Sequence, residues 1–552
     1  MLTADELAQV PLFADVPPDQ IERLARDCPD IHLTAGEFAM HEGDDRALFI
    51  VLSGLLEVVK LMDGVPRVIG KRAPGQVLGE VPMTMGTPFL GGGRAVLPSR
   101  VMRIEPRQYY ELAANCPSVA QKVNELARER MGGLQGLATE APTAKVVMLG
   151  HRWDTACHDL RRFLARNQIA FDWATPDAPD FATRWKGPTL GEADWPAVRL
   201  ADGTVMVKPP ARELARRLGL QTHAAHSAYD TVIVGGGPAG LAAAVYGASE
   251  GLRTLVVERE APGGQAGTSS RIENYLGFPH GVSGDELSSR ALQQAKRLGA
   301  EILVTRNIDR IDPDARCIYL DGGDVLQARS LILATGVSWR RLAIEGFDRL
   351  IGKGIYYGAA RSEANSTQGL DIHLIGAGNS AGQAALFFAN HARSVTLLVR
   401  GGSLEKSMSR YLIEQLRNKS NIAVALHSEI ASVHGTDHLT AVDLADRKSG
   451  EVRRVDCGGL FVFIGADAQT EWLPEQIARD QRGYVLTGSD VVQAGRWAQP
   501  RDPFLLETSV PGVFACGDVR LSPVKRVASA VGEGSMAIAF THQYLQLSPS
   551  GG

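Results

Sequence analysis

The chain has 552 residues, more than one hydrophobic core can serve, so several domains are expected. Its composition, 44% hydrophobic and 22% charged with a net charge of −4, offers no cationic surplus for a nucleic-acid partner. The start MLTADELAQVPLF lacks a cationic segment leading into an apolar one, and no uncharged run is long enough for a bilayer. Neither secretion nor a membrane span is therefore expected, and the expected compartment is the cytoplasm.

From Leu12 to about Arg103 short alternating apolar segments are separated by turns at Gly36, Gly43, Gly54, Gly64, Gly75 and Gly79. This pattern predicts a small β-roll, with a helical tail from about Pro106 to Leu137. The runs LFADVPPDQIERLA, FIVLSGLLEVV and GQVLGE resemble the cyclic-nucleotide-binding domain of catabolite-activator type regulators. That resemblance implies a Glu on the ribose 2′-hydroxyl and an Arg on the cyclic phosphate, here Glu80 and Arg94. The family's short Pro-Arg-Ala link is replaced by TMGTPFLGGGRA. Gly91, Gly92 and Gly93 would form either an anion nest or a loose loop, and a degenerate roll used for docking is an equal alternative. No basic recognition helix follows, which argues against binding to DNA.

Between about 143 and 221, KVVMLG and HRWDTACHDLRRFLARNQIAFDW read as strand, loop, amphipathic helix and strand. WPAVRLADGTVMVKPP and ARELARRLGL read as a hairpin and a closing helix. The order resembles a thioredoxin or glutaredoxin domain whose CxxC has become Asp154-Thr-Ala-Cys157, with Trp195-Pro196 where that family has its proline. Cys157 at a helix start is either a reactive thiol or, as the loss of its partner favours, part of a scaffold. The six cysteines (Cys28, Cys116, Cys157, Cys317, Cys457, Cys516) form no CxxC, so no metal site is expected.

Asp230 to Glu260 reads strand, glycine turn, Ala-rich helix, strand. Gly235 permits the tight turn, Gly237 admits a pyrophosphate, and Gly240 lets helix and strand pack closely. Pro238 and Ala239 open the helix, whose free N–H groups favour phosphate, and Glu258 is placed for a ribose diol. The following segment, GGQAGTSSRIENYLGFPHGVSGDEL, resembles low-molecular-weight thioredoxin reductases and the related ferredoxin–NADP reductases. By that resemblance Gly263, Gly264, Gln265 and Asn274 touch FAD, as does the turn Thr335-Gly336 after strand 331–334. A second motif follows strand 371–375: Gly376, Gly378, Asn379, Ser380 and Ala381. Two dinucleotide folds suit hydride transfer from a nicotinamide to a flavin. Arg400 ends the next strand and favours the 2′-phosphate of NADPH, with NADH the alternative. The family's further arginines are replaced by Gly401 and Glu405, with Lys406 adjacent. The run PGVFACGDVRLSPVKRVASAVGEGSMAI matches the second FAD signature of the resemblance, implying Gly517 and Asp518 at the ribityl chain and Lys525, Arg526, Val527 and Ala528 along the ring.

The expected fold is α/β: two Rossmann-like three-layer domains, preceded by a β-roll and a small thioredoxin-like domain. The expected boundaries are 1–140, 143–221, 226–345 with 461–545 for the split FAD domain, and 346–460 for the nicotinamide domain. One feature departs from thioredoxin reductases: in GKGIYYGAARSEA, Gly358 and Arg361 stand where the redox cysteines would be. The expected function is an NAD(P)H-oxidising FAD reductase, homodimeric, with no catalytic side chain assigned, passing electrons to a small-molecule or protein acceptor. The alternative is a redox or nucleotide sensor with a muted flavoprotein body.

Overall fold

The computed structural model describes residues 2–547 except 63–64, 140–145, 152, 270, 359–362, 365–366 and 523, with the backbone alone for parts of 61–66 and 132–139. The expectation for Arg361 lies outside the described residues. The chain forms two compact units, 1–143 and 144–552.

In the first unit, one four-stranded antiparallel sheet runs Asp30–Leu33, Ser99–Ile104, Leu48–Ser53, Val77–Leu78. The other runs Phe38–Met40, Gly92–Ala95, Leu56–Met62, Val65–Arg72. Alternation sorts the side chains of Leu48–Ser53 onto two faces. Leu48 and Ile50 pack with Leu7, Leu24 and Leu112 of the helices, while Phe49 and Val51 pack with Leu33, Leu56 and Val101. The expected helical tail is two helices, Pro106–Asn115 and Pro117–Thr139.

The second unit begins with a mixed four-stranded sheet, Phe171–Ala174, Val146–Leu149, Ala197–Leu200, Val205–Val207. Its first pair is parallel and the others antiparallel, and the Trp195–Pro196 bond is cis. Helix Thr155–Arg166 starts at Asp154, whose Oδ1 accepts from the Cys157 N–H at 2.7 Å.

The large sheet that follows has the order Glu301–Leu303, Thr254–Val257, Ala228–Val234, Val325–Leu333, Cys317–Leu320, Ile308–Asp312, with Val513–Ala515 also on Val325–Leu333. The first four strands and Val513–Ala515 are parallel. Strand Ala228–Val234 is covered on both faces, and its run from Thr231 to Val234 is continuously buried. A second, parallel sheet runs Ile355–Tyr357, Gly459–Val462, Asp371–Ile375, Ser394–Val399, Ile422–Leu426. A three-stranded antiparallel sheet, Ser428–His434, Ala441–Asp446 and Val452–Asp456, follows it in the chain. Two open sheets, each with a strand–glycine turn–helix crossover, are the three-layer α/β architecture expected from the sequence.

Candidate functional site

The site is built around the turn after strand Ala228–Val234. Gly235 has φ of 103°, and a Cβ there would lie 2.5 Å from the Ala334 carbonyl oxygen. A Cβ on Gly240 would sit 1.9 Å from the Gly235 carbonyl oxygen, so helix Pro238–Ser249 packs against the turn only without a side chain. Gly237 differs: a Cβ there would meet nothing nearer than Gly264 Cα at 3.8 Å. The space beside it belongs to a cavity of about 140 Å³, also lined by Pro238, Ala239, Thr335 and Gly336. An open face at a helix N-terminus with free amides suits a phosphate.

Glu258 lines this cavity and its neighbour of about 190 Å³. It is 8% exposed. Its Oε2 accepts from the Gly236 N–H at 2.8 Å and its Oε1 from the Glu260 N–H at 2.9 Å. The carboxylate thus braces the glycine turn while keeping lone pairs for a diol. Gly264, Gln265, Gly517, Asp518, Arg526 and Val527 line the same 140 Å³ cavity. Burial raises the Asp518 carboxyl above its ordinary range, against the opposing pull of Lys525. Lys525 Nζ donates to the carbonyls of Asp518 and Arg520 at 2.8 and 2.7 Å, closing that loop on itself. The side chains of Asn274 and Ala528 are exposed, and neither lines these cavities.

A larger cavity, about 660 Å³, shares Arg162, Arg166, Arg259, Glu260 and Gln265 with the first. Gly358 lines it, and a Cβ there would face Thr268 Oγ1 at 3.6 Å and Trp339 Nε1 at 3.7 Å. Gly358 therefore faces the flavoprotein body, and among the described residues no cysteine lines this cavity. All six cysteines are free. Cys157 is fully buried, and its thiol is pushed up to about 12 by burial, reinforced by Asp154. Of its two readings, the packed scaffold thiol is the one this environment supports. Cys516 lines the 140 Å³ cavity but is fully buried, and burial raises its thiol as well.

Two contributions were not legible in the sequence. Glu533, on helix Val527–Leu547, accepts from the Gly517 N–H at 2.7 Å and pairs with Arg520 at 2.6 Å, fixing the Gly517-Asp518 turn. Arg162 and Arg166, on helix Thr155–Arg166, pair with Glu260 at 3.0 and 2.7 Å, and Arg166 also donates to the Ala261 and Gly264 carbonyls. The sequence shows that helix to be amphipathic but not what its polar face meets.

At the second glycine motif Gly376 has φ of 151°, and helix Asn379–Phe388 starts after Gly378. A Cβ on Gly378 would meet nothing nearer than 4.0 Å, so this turn too has an open face. Ala381 is buried and Ser380 exposed. Asn379 is engaged with the following loop: its Oδ1 accepts from the Ser409 N–H at 2.7 Å and its Nδ2 donates to Ser409 Oγ at 3.0 Å. Arg400 is exposed just after strand Ser394–Val399, next to Gly401; Glu405 and Lys406 are exposed as well.

In the first unit a cavity of about 250 Å³ contains Glu80 together with Arg72 and Arg130. Glu80 is 4% exposed and pairs with Arg130 at 2.8 Å. Arg94 is a correction. It does not line the cavity, because the strand register sets it opposite Glu57, to which its guanidinium is bonded.

Glycine-turn sites on two Rossmann-like sheets are the arrangement of a two-dinucleotide oxidoreductase. Residues 229–534 match the family model of the pyridine nucleotide-disulphide oxidoreductases, and residues 30–116 that of the cyclic nucleotide-binding domain. The first match spans more than half of the chain, which belongs to the pyridine nucleotide-disulphide oxidoreductase family. Its thioredoxin reductase-like members use FAD and NADPH. A thioredoxin reductase of Mycolicibacterium smegmatis is 33% identical over 318 residues, 57% of this chain and 96% of that protein. An alkyl hydroperoxide reductase component of Staphylococcus epidermidis is 32% identical over 320 residues, 57% of this chain but 59% of that protein. The structure of Lactococcus lactis thioredoxin reductase in its FR conformation has a TM-score of 0.52 at 29% identity, covering 58% of this chain and 99% of that one.

Proposed function

We propose that this protein is an FAD-dependent reductase that takes hydride from NADPH and passes the electrons to an external acceptor without an active-site dithiol. The observation that carries the reading is Gly358 in the wall of the 660 Å³ cavity, with no cysteine among the other described residues lining it. Thiol–disulfide exchange needs a thiolate and a resolving partner. Cys157 is packed away from solvent, and the sequence gives it Asp154 in place of a partner.

In this reading Gly235, Gly237 and Gly240 shape the pyrophosphate turn, Glu258 takes the ribose diol, and Asp518 takes the ribityl chain. Gln265, Thr335 and Gly336 line the path between them. FAD, when bound, supplies a carrier that accepts a hydride and releases electrons singly or in pairs. Gly376, Gly378 and Ala381 hold the second dinucleotide, and Arg400 selects its 2′-phosphate. The domain boundaries that go with this reading are those expected from the sequence, and the assembly is a homodimer. The β-roll, whose family model is a cyclic nucleotide-binding one, reports a ligand or a partner. Anaerobic mixing with NADPH tests the core of the proposal: the protein purifies yellow, bleaches with NADPH, and regains colour with an artificial acceptor. Colourless protein that FAD does not reconstitute would refute it.

A further inference from the structure

The segment between the β-roll and the flavoprotein body does more than precede it in sequence. Its helix Thr155–Arg166 lies against the segment that enters the nicotinamide domain: Thr155 Oγ1 donates to the Ile351 carbonyl at 3.2 Å. Trp153 stacks on His438 with ring centroids 4.7 Å apart. One turn into the helix, His158 lines the 660 Å³ cavity together with Glu363, Tyr356, Gly358 and Gln265. His158 Nδ1 lies 3.6 Å from Glu363 Oε1, with the two side chains only 12% and 8% exposed. Its ring centroid is 5.2 Å from that of Tyr356. An acid and an imidazole are thus brought from two domains to the cavity where the dithiol would stand.

We propose that the His158–Glu363 pair is the proton donor for reduction of a small quinone-like acceptor bound in this cavity. The inference rests on the flavin reading above and deepens it by naming the acceptor class and its proton source. A quinone becomes a hydroquinone by gaining two electrons and two protons. FAD, when bound and reduced, would supply a hydride, which is two electrons and one proton. The second proton comes from His158, whose Nδ1 faces Glu363 at the cavity wall; the pair regains it from water. Burial holds the imidazole's proton affinity below its ordinary value, outweighing the Glu363 carboxylate, which raises it. The other charges that act on it are Asp159, which also raises it, and Arg161 and Arg162, which lower it.

The test uses the FAD-loaded full chain. After reduction by NADPH, reoxidation is followed with a naphthoquinone, which needs protons, and with ferricyanide, which takes single electrons and none. His158→Asn is expected to slow the quinone reaction at least tenfold, in line with the roughly 10²–10⁴-fold range of general acid catalysis. It is also expected to remove the fall in quinone rate that the wild type shows as rising pH strips the pair of its proton, while the ferricyanide rate follows neither change. Independently of turnover, the ¹⁵N imidazole resonance of His158, assigned by its loss in His158→Asn, reports the titration. Glu363→Gln removes a raising charge, so its midpoint is expected to move down. Equal slowing of both acceptors, no slowing of either, or an unmoved midpoint would overturn the proposal. Failure of NADPH to bleach the wild-type flavin would overturn the earlier reading and this one with it.

Discussion

At the scale of single residues, steric demands were readable in the sequence and partner choice was not. Gly235, Gly237 and Gly240 were recognisable by spacing, and the structure separates their tasks. A Cβ on Gly240 collides with backbone at 1.9 Å, so Gly240→Ala should destabilise the fold by about 2 kcal/mol or more. A Cβ on Gly237 instead meets only Gly264 Cα, at an ordinary contact distance of 3.8 Å. Gly237→Leu should therefore change stability by only about 0.5 kcal/mol yet bar the pyrophosphate, giving folded, colourless protein. Thermal melts with flavin absorbance check both, and a yellow Gly237→Leu would refute the role given to that turn. Arg400 is exposed just after strand Ser394–Val399, and in the proposed reading it meets the 2′-phosphate. Arg400→Ala should raise the KM for NADPH roughly tenfold, the worth of one charge-assisted hydrogen bond, and leave NADH nearly unchanged. Equal losses in stopped-flow bleaching would contradict it. Arg94 shows the limit of such reading. Its residue type and position matched a phosphate ligand, but the register that pairs it with Glu57 is set by sheet geometry that spacing alone does not reveal.

At the scale of elements, strand–turn–helix units were legible because a continuously apolar run, a glycine turn and an Ala-rich helix each have local causes. The β-roll was legible through its two-residue alternation, and its cavity contents were not. Glu80 sits there as expected, but its cationic neighbours are Arg72 on one of the strands and Arg130 on helix Pro117–Thr139. With the Glu80 carboxylate already paired to Arg130, a ribose hydroxyl has to compete for it, so weak or no cyclic-nucleotide binding is expected. Calorimetry with cAMP and cGMP checks this, and Arg94→Ala should leave any heat unchanged because its guanidinium is committed to Glu57. Sub-micromolar binding would contradict the expectation. Helix Thr155–Arg166 was legible as an amphipathic helix, while its Asp154 cap emerged only from the structure. That its arginines reach Glu260 and its imidazole reaches Glu363 follows from docking between segments about a hundred and two hundred residues apart.

At the scale of the whole molecule, the chain joins a dinucleotide-to-flavin body of the pyridine nucleotide-disulphide oxidoreductase family to a β-roll and a small mixed-sheet domain. In the proposed reading, family build and redox chemistry part company at one place. The sequence puts Gly358 and Arg361 where the related thioredoxin reductases are expected to carry their dithiol, and Cys157 has lost its partner to Asp154. The described part of that place, Gly358, lies in the cavity wall facing Thr268 and Trp339. A lone thiol forms a mixed disulfide but does not resolve it. The most direct measurement is NADPH-dependent reduction of thioredoxin and of an aromatic disulfide, by the wild type and by the Cys157→Ser, Cys317→Ser variant, with flavin bleaching followed in parallel. The account predicts full bleaching by NADPH and negligible disulfide turnover in both proteins. Robust disulfide reduction by either one would contradict it.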